Sequence, residues 1–380
     1  MHNFNDAFLL AQFPQDPDLC YLNHAAVSPW PKCTEEAITQ FAKENVYQGA
    51  RDYPKWMEKE KSLRSLLAQL LNVEGSSEIA LAKSTSEALS TIAYGIHWKE
   101  GDEIIISNEE FPSNRIVWES LANQGVRLVI ADIANESPLN AIAACVTEHT
   151  RLLSISSVQY ASGRKVDLVK LGQLCRQHDI LFCVDAIQSL GTIPFNQRAI
   201  GADFVVADGH KWMMASEGLA LLYIHKKHIE TLKLHQFGWH MVAACGQYDK
   251  LDWCPANNAT RFECGSPNML GIHALNASLG FLLDIGIEKI EIALQTRIEH
   301  LIKRLKELPN MTILSPLATE DRAGIVTFKP DKENLETLYR TLMKEGVICA
   351  QRGGGIRFSP AFYTPLEVID EAVNRLKQHI

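Results

Sequence analysis

A lysine sits between a histidine and a tryptophan in Asp208-Gly209-His210-Lys211-Trp212, inside "FVVADGHKWMMASEGLALLYI" (204–224). Two apolar β-type runs flank this polar knot, and a surface lysine needs no such setting. An amine held in a partly dry pocket loses basicity and becomes a competent nucleophile. Asp185 ends the apolar run "ILFCVDAIQSLG". A carboxylate at the tip of a buried strand is costly without a cationic partner, although it also reads as the cap of a turn. Gln188, three residues on, can project to the same side. Ser84-Thr85-Ser86 follows "EIALAK" and opens a helical pattern. Hydroxyls and free N–H groups at a helix start bind anions, phosphate being the common guest. The bland reading is an N-cap with Glu87 in the first turn. An anion site, a buried acid and a sheltered amine are together the parts that pyridoxal 5'-phosphate requires. The amine forms the Schiff base, and the acid keeps the ring nitrogen protonated so that the ring acts as an electron sink.

These groups need a frame to bring them together. From about residue 76 to 224, near-continuous apolar strands ("DEIIISN", "VRLVIADI", "RLLSISSV", "ILFCVDAI", "ADFVVAD", "LALLYIH") alternate with amphipathic helical patterns. That alternation predicts a mainly parallel sheet covered on both faces, with ligands beyond the C-terminal strand ends. After about residue 280, long charged helices surround a few short strands ("GIVTFKP", "VICAQ", "GIRFS"). The expected division is a large α/β cofactor-binding domain over 16–280. A smaller α+β domain takes 281–380 together with 1–15.

The 380 residues carry a net charge of −8, which argues against a nucleic-acid partner and an anionic membrane surface. No apolar stretch reaches the roughly 18 residues that span a bilayer, and the N-terminus carries no secretory pattern. Nine scattered cysteines without a Cys-x-x-Cys pair suit reduced thiols, so a cytoplasmic protein is expected. His235 and His240 flank "QFGW" with no third ligand, and no metal is expected. Neither Gly-x-Gly-x-x-Gly after a strand nor a Gly-x-x-x-x-Gly-Lys-Ser/Thr loop occurs; "RGGG" (352–355) reads as a turn between two strands.

With "YLNHAAVSPWP" (21–31), "KSTSEA", "VDAIQ", "DGHKW", "RFECGSPN" and "GIRFSPAFY" in this order, the chain resembles the class V aminotransferases of fold type I. That family also contains cysteine desulfurases, selenocysteine lyases, kynureninases and isopenicillin N epimerase-like proteins. The resemblance implies a seven-stranded-type sheet sandwiched by helices, and pyridoxal 5'-phosphate on Lys211. It implies Asp185 as partner of the ring nitrogen and Gln188 of the ring hydroxyl. Thr85 and Ser86 become the phosphate-binding pair, with His210 a further phosphate contact. Ser266 would reach the phosphate of a neighbouring subunit, which makes the protein a homodimer. Arg357 would hold the substrate carboxylate, and Asn23 and His24 would line the substrate pocket.

Three departures bear on the reaction. Phe111 in "EEFPSN" stands where desulfurases place a ring-stacking histidine; it supplies an aromatic face but exchanges no proton. Desulfurases carry a nucleophilic cysteine before the C-terminal strand, but here that loop reads "AQRGGGIRF", with Cys349 in the preceding strand. This argues against a persulfide-forming enzyme. Asp208 takes the place of a serine-like phosphate ligand, and its charge would repel phosphate unless the side chain turns away. The expected activity is therefore transamination of an amino acid with a 2-oxo acid. The alternative is a lyase or epimerase of the same family, and a lesser alternative is a cofactor-binding protein without turnover. Arg51 and Arg352 read as anion contacts or, by default, as solvated arginines.

Overall fold

The computed structural model describes residues 6–331 and 334–380. Residues 1–5, assigned above to the smaller domain, lie outside the described residues. After a short β1 (Cys20–Tyr21) come β2 (Ile79–Ala82), β3 (Glu103–Ser107), β4 (Arg127–Ala131), β5 (Thr150–Ser156), β6 (Leu181–Asp185), β7 (Phe204–Asp208) and β8 (Ala220–Ile224). The last seven form one sheet in the order β2-β8-β7-β6-β5-β3-β4. Only β8 runs against its neighbours. Every residue of β3, β7 and β8 is buried, which explains their unbroken apolar sequences. The mainly parallel seven-stranded sheet expected from the sequence is present.

The strand order reverses between β3 and β5, because the chain leaves β3 toward β4 on one side and returns through β5, β6 and β7 on the other. Such a switch point leaves a crevice outside the carboxyl ends of the strands. The segments after β2, β3, β5, β6 and β7 all emerge on that edge.

A second sheet contains β9 (Met311–Ile313), β10 (Val326–Pro330), β12 (Ala350–Arg352) and β13 (Gly355–Phe358), in the antiparallel order β12-β13-β10-β9. Between them, β11 (Val347–Ile348) pairs in parallel with β1, and Asn23 bridges to Ser359. The chain's early residues are thus stitched to the second sheet. One apolar core joins the two sheets, with Val184, Val205 and Trp212 in the same cluster as Phe328, Phe358 and Leu376. The expected boundary at 280/281 falls inside helix Met269–Ile285, which packs on helices Lys32–Gln48 and Tyr53–Leu71. The chain turns by 82° only at Gly286, before helix Ile287–Lys306. Among the described residues no single helix is long and apolar enough to cross a membrane.

Candidate active site

A cavity of about 240 Å³ opens at the switch point. Ser84, Thr85 and Ser86 line it from behind β2, Phe111 and Ser113 from behind β3, and Tyr160 from behind β5. Asp185 and Gln188 come from the end of β6, Asp208, His210 and Lys211 from the end of β7, and Arg352 and Arg357 from the β12–β13 hairpin.

The knot around Lys211 is a tightly bonded connection. Gly209 N–H donates to the Leu219 carbonyl (2.9 Å), Ala215 N–H to Gly209 (2.9 Å) and Met214 N–H to Lys211 (3.0 Å). Trp212 is the anchor. Its ring is buried, and its indole N–H donates to Gln188 Oε1 at 2.8 Å. The lysine is thereby held in the cavity, with Nζ 5.6 Å from the centroid of the Phe111 ring. Burial pulls its pKa down to about 8; Asp185 opposes this and the Arg357 charge adds to it. At neutral pH a useful fraction of the amine is therefore uncharged.

Asp185 is buried, and its Oδ1 accepts from Ile187 N–H at 3.0 Å. Burial raises its pKa more than that hydrogen bond and Lys211 lower it. A cation placed against it would reverse the balance. Gln188 is held at both ends, since Nε2 also donates to the Ala25 carbonyl at 3.0 Å. One of its two amide hydrogens is left over.

At the start of helix Thr85–Gly95 the cap is formed, and one buried hydroxyl beside it is left without a partner. Ser84 Oγ accepts from Glu87 N–H at 3.2 Å, and Glu87 Oε2 accepts from Lys83 N–H at 2.5 Å. Thr85 Oγ1, however, is buried with no partner. Ser86 Oγ donates to Ser113 Oγ at 2.8 Å on the cavity wall. Asp208 is turned toward His210, with Oδ1 and Nδ1 2.8 Å apart. That contact lacks hydrogen-bond alignment, so both atoms remain unpaired and buried.

Arg357 is a buried guanidinium without a carboxylate among the described residues. Nη1 donates to the Tyr160 carbonyl (2.7 Å), Nη2 reaches Asn23 Oδ1 (3.4 Å), and Nε has no partner. Burial first, then the Arg352 charge, lowers its pKa to about 10. A buried cation in this condition calls for an anion.

Two expected site residues stand elsewhere. His24 is fully buried behind the cavity, with Nδ1 bonded to the Ser359 carbonyl and Nε2 to the Tyr363 hydroxyl, each at 2.8 Å. Burial drops its pKa to about 4, so it is a neutral strut rather than a wall of the pocket. Ser266 lies between Phe262 and helix Met269–Ile285, outside the lining of its own chain's cavity. Asn23 touches the site through Arg357 and otherwise faces a neighbouring cavity with Cys349 and Arg352.

Sequence reasoning missed Tyr160, whose ring meets Phe111 edge-on at 5.1 Å. It also missed Glu110, a buried carboxylate that accepts from Ser107 Oγ (2.8 Å), Asn114 Nδ2 (2.8 Å), Ser156 N and Oγ (3.0 and 2.6 Å) and Gln159 Nε2 (3.0 Å). Glu110 fixes the backbone that carries Phe111 to the backbone that carries Tyr160.

No cysteine lines the cavity. Cys349 is buried, and burial pushes its thiol up to about 12. Among the described residues one group has metal-ligand spacing, buried Glu60, His240 and Glu263. Its carboxylates are already taken, because Arg64 donates to both Glu263 oxygens (2.5 and 2.7 Å) and to Glu60. A guanidinium at the centre repels a cation, so this cluster ties helix Tyr53–Leu71 to the 259–263 turn instead.

Known proteins resemble the chain over nearly its whole length. The family model "Aminotransferase class-V" matches residues 20–369. A probable cysteine desulfurase of Methanothermobacter thermautotrophicus is 30% identical, over 88% of this chain and 84% of its own length. The apo structure of a cysteine desulfurase from Thermococcus onnurineus superposes with a TM-score of 0.89 at 22% identity, covering 100% of this chain and 99% of its own. A complex of the cystine C-S lyase C-DES with its reaction product cysteine persulfide gives a TM-score of 0.90 at 23% identity, covering 97% and 100%.

Proposed function

Because the chain belongs to the class V aminotransferase family, whose cofactor is pyridoxal 5'-phosphate, we propose that it is a carbon–sulfur lyase. In this reading it expels a sulfur-bearing group from Cβ of an amino acid without using a thiol of its own. The observation that carries this is the composition of the cavity wall: an amine, an acid and a guanidinium without a carboxylate partner line it, and among the described residues no thiol does. Relatives named as desulfurases or as a cystine lyase support cleavage at sulfur over the transamination expected from the sequence. The missing thiol supports release of the sulfur product into solution.

The residues fit the cofactor. Thr85 Oγ1 is buried and unpaired at a helix start, where aligned peptide dipoles favour a phosphate. With Ser86 and His210, it would hold that group. Asp185 would face the ring nitrogen, the spare Gln188 N–H the ring oxygen, and Phe111 one ring face. Lys211 would be the covalent anchor. Once bound, the cofactor supplies an electron sink that acidifies the Cα–H of the amino acid joined to it. The freed Lys211 amine, part neutral near pH 7, moves that proton, a contribution on the order of 100- to 10,000-fold. Arg357 binds the α-carboxylate and fixes which bond at Cα faces the lysine.

Ser266, outside its own cavity, is proposed to serve the site of a second copy. The neighbouring exposure of Phe237, Tyr248, Leu251 and Trp253 supports a homodimer through this region. Sedimentation at monomer mass would remove that assignment.

The test of the activity is a panel of cysteine, cystine, S-alkylcysteines and alanine, each with and without a 2-oxo acid. Thiol, sulfide or persulfide release together with pyruvate, independent of 2-oxo acid, is expected, and Lys211→Ala should abolish both release and the yellow colour. Oxo-acid-dependent amino transfer without sulfur release would establish the transaminase instead.

A further inference from the structure

The β12–β13 hairpin carries two arginines that no local interaction explains. Arg352 pairs with Gly355 and Ala350 with Arg357, so Arg352 and Arg357 are diagonal neighbours on one face of the ladder. Diagonal neighbours on one face stand roughly 7–8 Å apart, within reach of long side chains, so the two like charges repel across the ladder. Nothing offsets that repulsion here. No carboxylate pairs with either guanidinium among the described residues; Arg352 reaches only the Gln351 carbonyl, at 3.0 Å. The arrangement is also built in. Gly353 (φ 58°) and Gly354 (φ 74°) make a two-residue turn of left-handed residues. A Cβ on Gly355, opposite Arg352, would come within 2.5 Å of the Phe328 carbonyl oxygen. The hairpin is therefore short and stiff and leaves Arg352 bare on the cavity side. Both arginines line the one cavity that holds Lys211 and Asp185. In a chain of net charge −8, two unpaired guanidinium groups converging on one cavity form a local exception.

We propose that this cavity selects amino acids bearing a second anionic group at the far end of the side chain, with Arg357 taking the α-carboxylate and Arg352 the distal acid. This rests on the lyase reading above and narrows its substrate class to S-substituted cysteines whose substituent ends in a carboxylate or similar anion. Burial first, and then the nearby Arg352 charge, lowers the basicity of Arg357, which agrees with a site that awaits negative charge. Arg352 is the more exposed of the pair, which suits a group that projects toward the cavity mouth.

The test uses the cofactor-loaded protein and two ligands of equal shape, S-carboxymethylcysteine and its uncharged amide, S-carbamoylmethylcysteine. Binding is read from the change in cofactor absorbance. The acid should bind about tenfold tighter than the amide, the size of one charge-assisted contact near a surface. In Arg352→Gln the ratio of the two apparent Kd values should fall to near one, and Arg352→Lys should restore part of it. Raised salt should shrink the ratio. Equal affinities in the unmodified protein overturn the proposal. So does an Arg352→Gln effect that is the same on both ligands, which would put both arginines on the α-carboxylate. A lower cofactor content in Arg352→Gln would assign Arg352 to the phosphate and likewise overturn it. If neither ligand changes the absorbance of the loaded protein, the amino-acid reading itself fails, an outcome distinct from the other three.

Discussion

Replacing Asp185 by asparagine should have opposite effects on the cofactor-free and the cofactor-loaded protein. Burial raises this acid from 3.8 to about 7, against the pull of the Ile187 N–H and Lys211. Between those pH values the folded protein keeps a proton that the unfolded chain has released. Stability attributable to Asp185 therefore falls as pH rises from about 4 to about 7 and stays low above that. At about 1.36 kcal/mol per pH unit, the ceiling of the loss is ~4 kcal/mol. Asparagine keeps the acceptor for Ile187 but removes an anion near Lys211, whose ammonium burial already disfavours. The rise to about 7 is already net of that attraction, and relaxation of the protein and water around a buried charge keeps the realised gain well below the ceiling. The stripped variant should thus be about 1–2 kcal/mol more stable than the parent at pH 8, with the gain gone by about pH 4. In the loaded protein a charge-assisted hydrogen bond worth about 1.5–3 kcal/mol is lost, so cofactor affinity should drop roughly 10- to 100-fold. Urea unfolding of both stripped proteins at the two pH values, with a cofactor titration, measures all three quantities. A variant less stable at pH 8, or one with the same gain at both pH values, refutes the burial argument. Unchanged affinity refutes the place given to Asp185.

Two further substitutions separate chemistry from packing. Cys349→Ala should leave sulfur release within about twofold of the parent, because a thiol pushed up to about 12 is no nucleophile at neutral pH; a loss of activity in folded, loaded protein would restore the persulfide route. Arg64→Met leaves Glu60 and Glu263 buried without their cation and should cost about 3–5 kcal/mol in urea unfolding; a cost below about 1 kcal/mol would mean that solvent reaches the cluster.

The frame was legible in the sequence because it depends on local patterns. Unbroken apolar runs announced strands buried on both faces, and the polar knot after "FVVA" announced that its lysine is sheltered. Asp185, Gln188 and Lys211 were found for the same reason, as each sits where a strand ends. The rest depends on pairings between distant parts of the chain. His24 looks like a pocket residue until Ser359 and Tyr363, more than 330 positions away, take up both nitrogens. Glu110 looks like a surface acid beside Glu109 until Ser156 and Gln159 close on it from the next strand connection. The mutual placement of Arg352 and Arg357 follows from hairpin register, and a shift of one residue would move one of them to the opposite face.

Helical contacts between neighbours can form as soon as both partners leave the ribosome, but the wall around Lys211 cannot. Asn23 and His24 are made early and wait for Arg357, Ser359 and Tyr363 before their own polar atoms are satisfied. A nascent chain halted before those residues would carry the Lys211 amine in a half-open, wetter hollow. Capture of the vitamin is thus expected to be a late event in the birth of the molecule, after translation of the hairpin rather than during it.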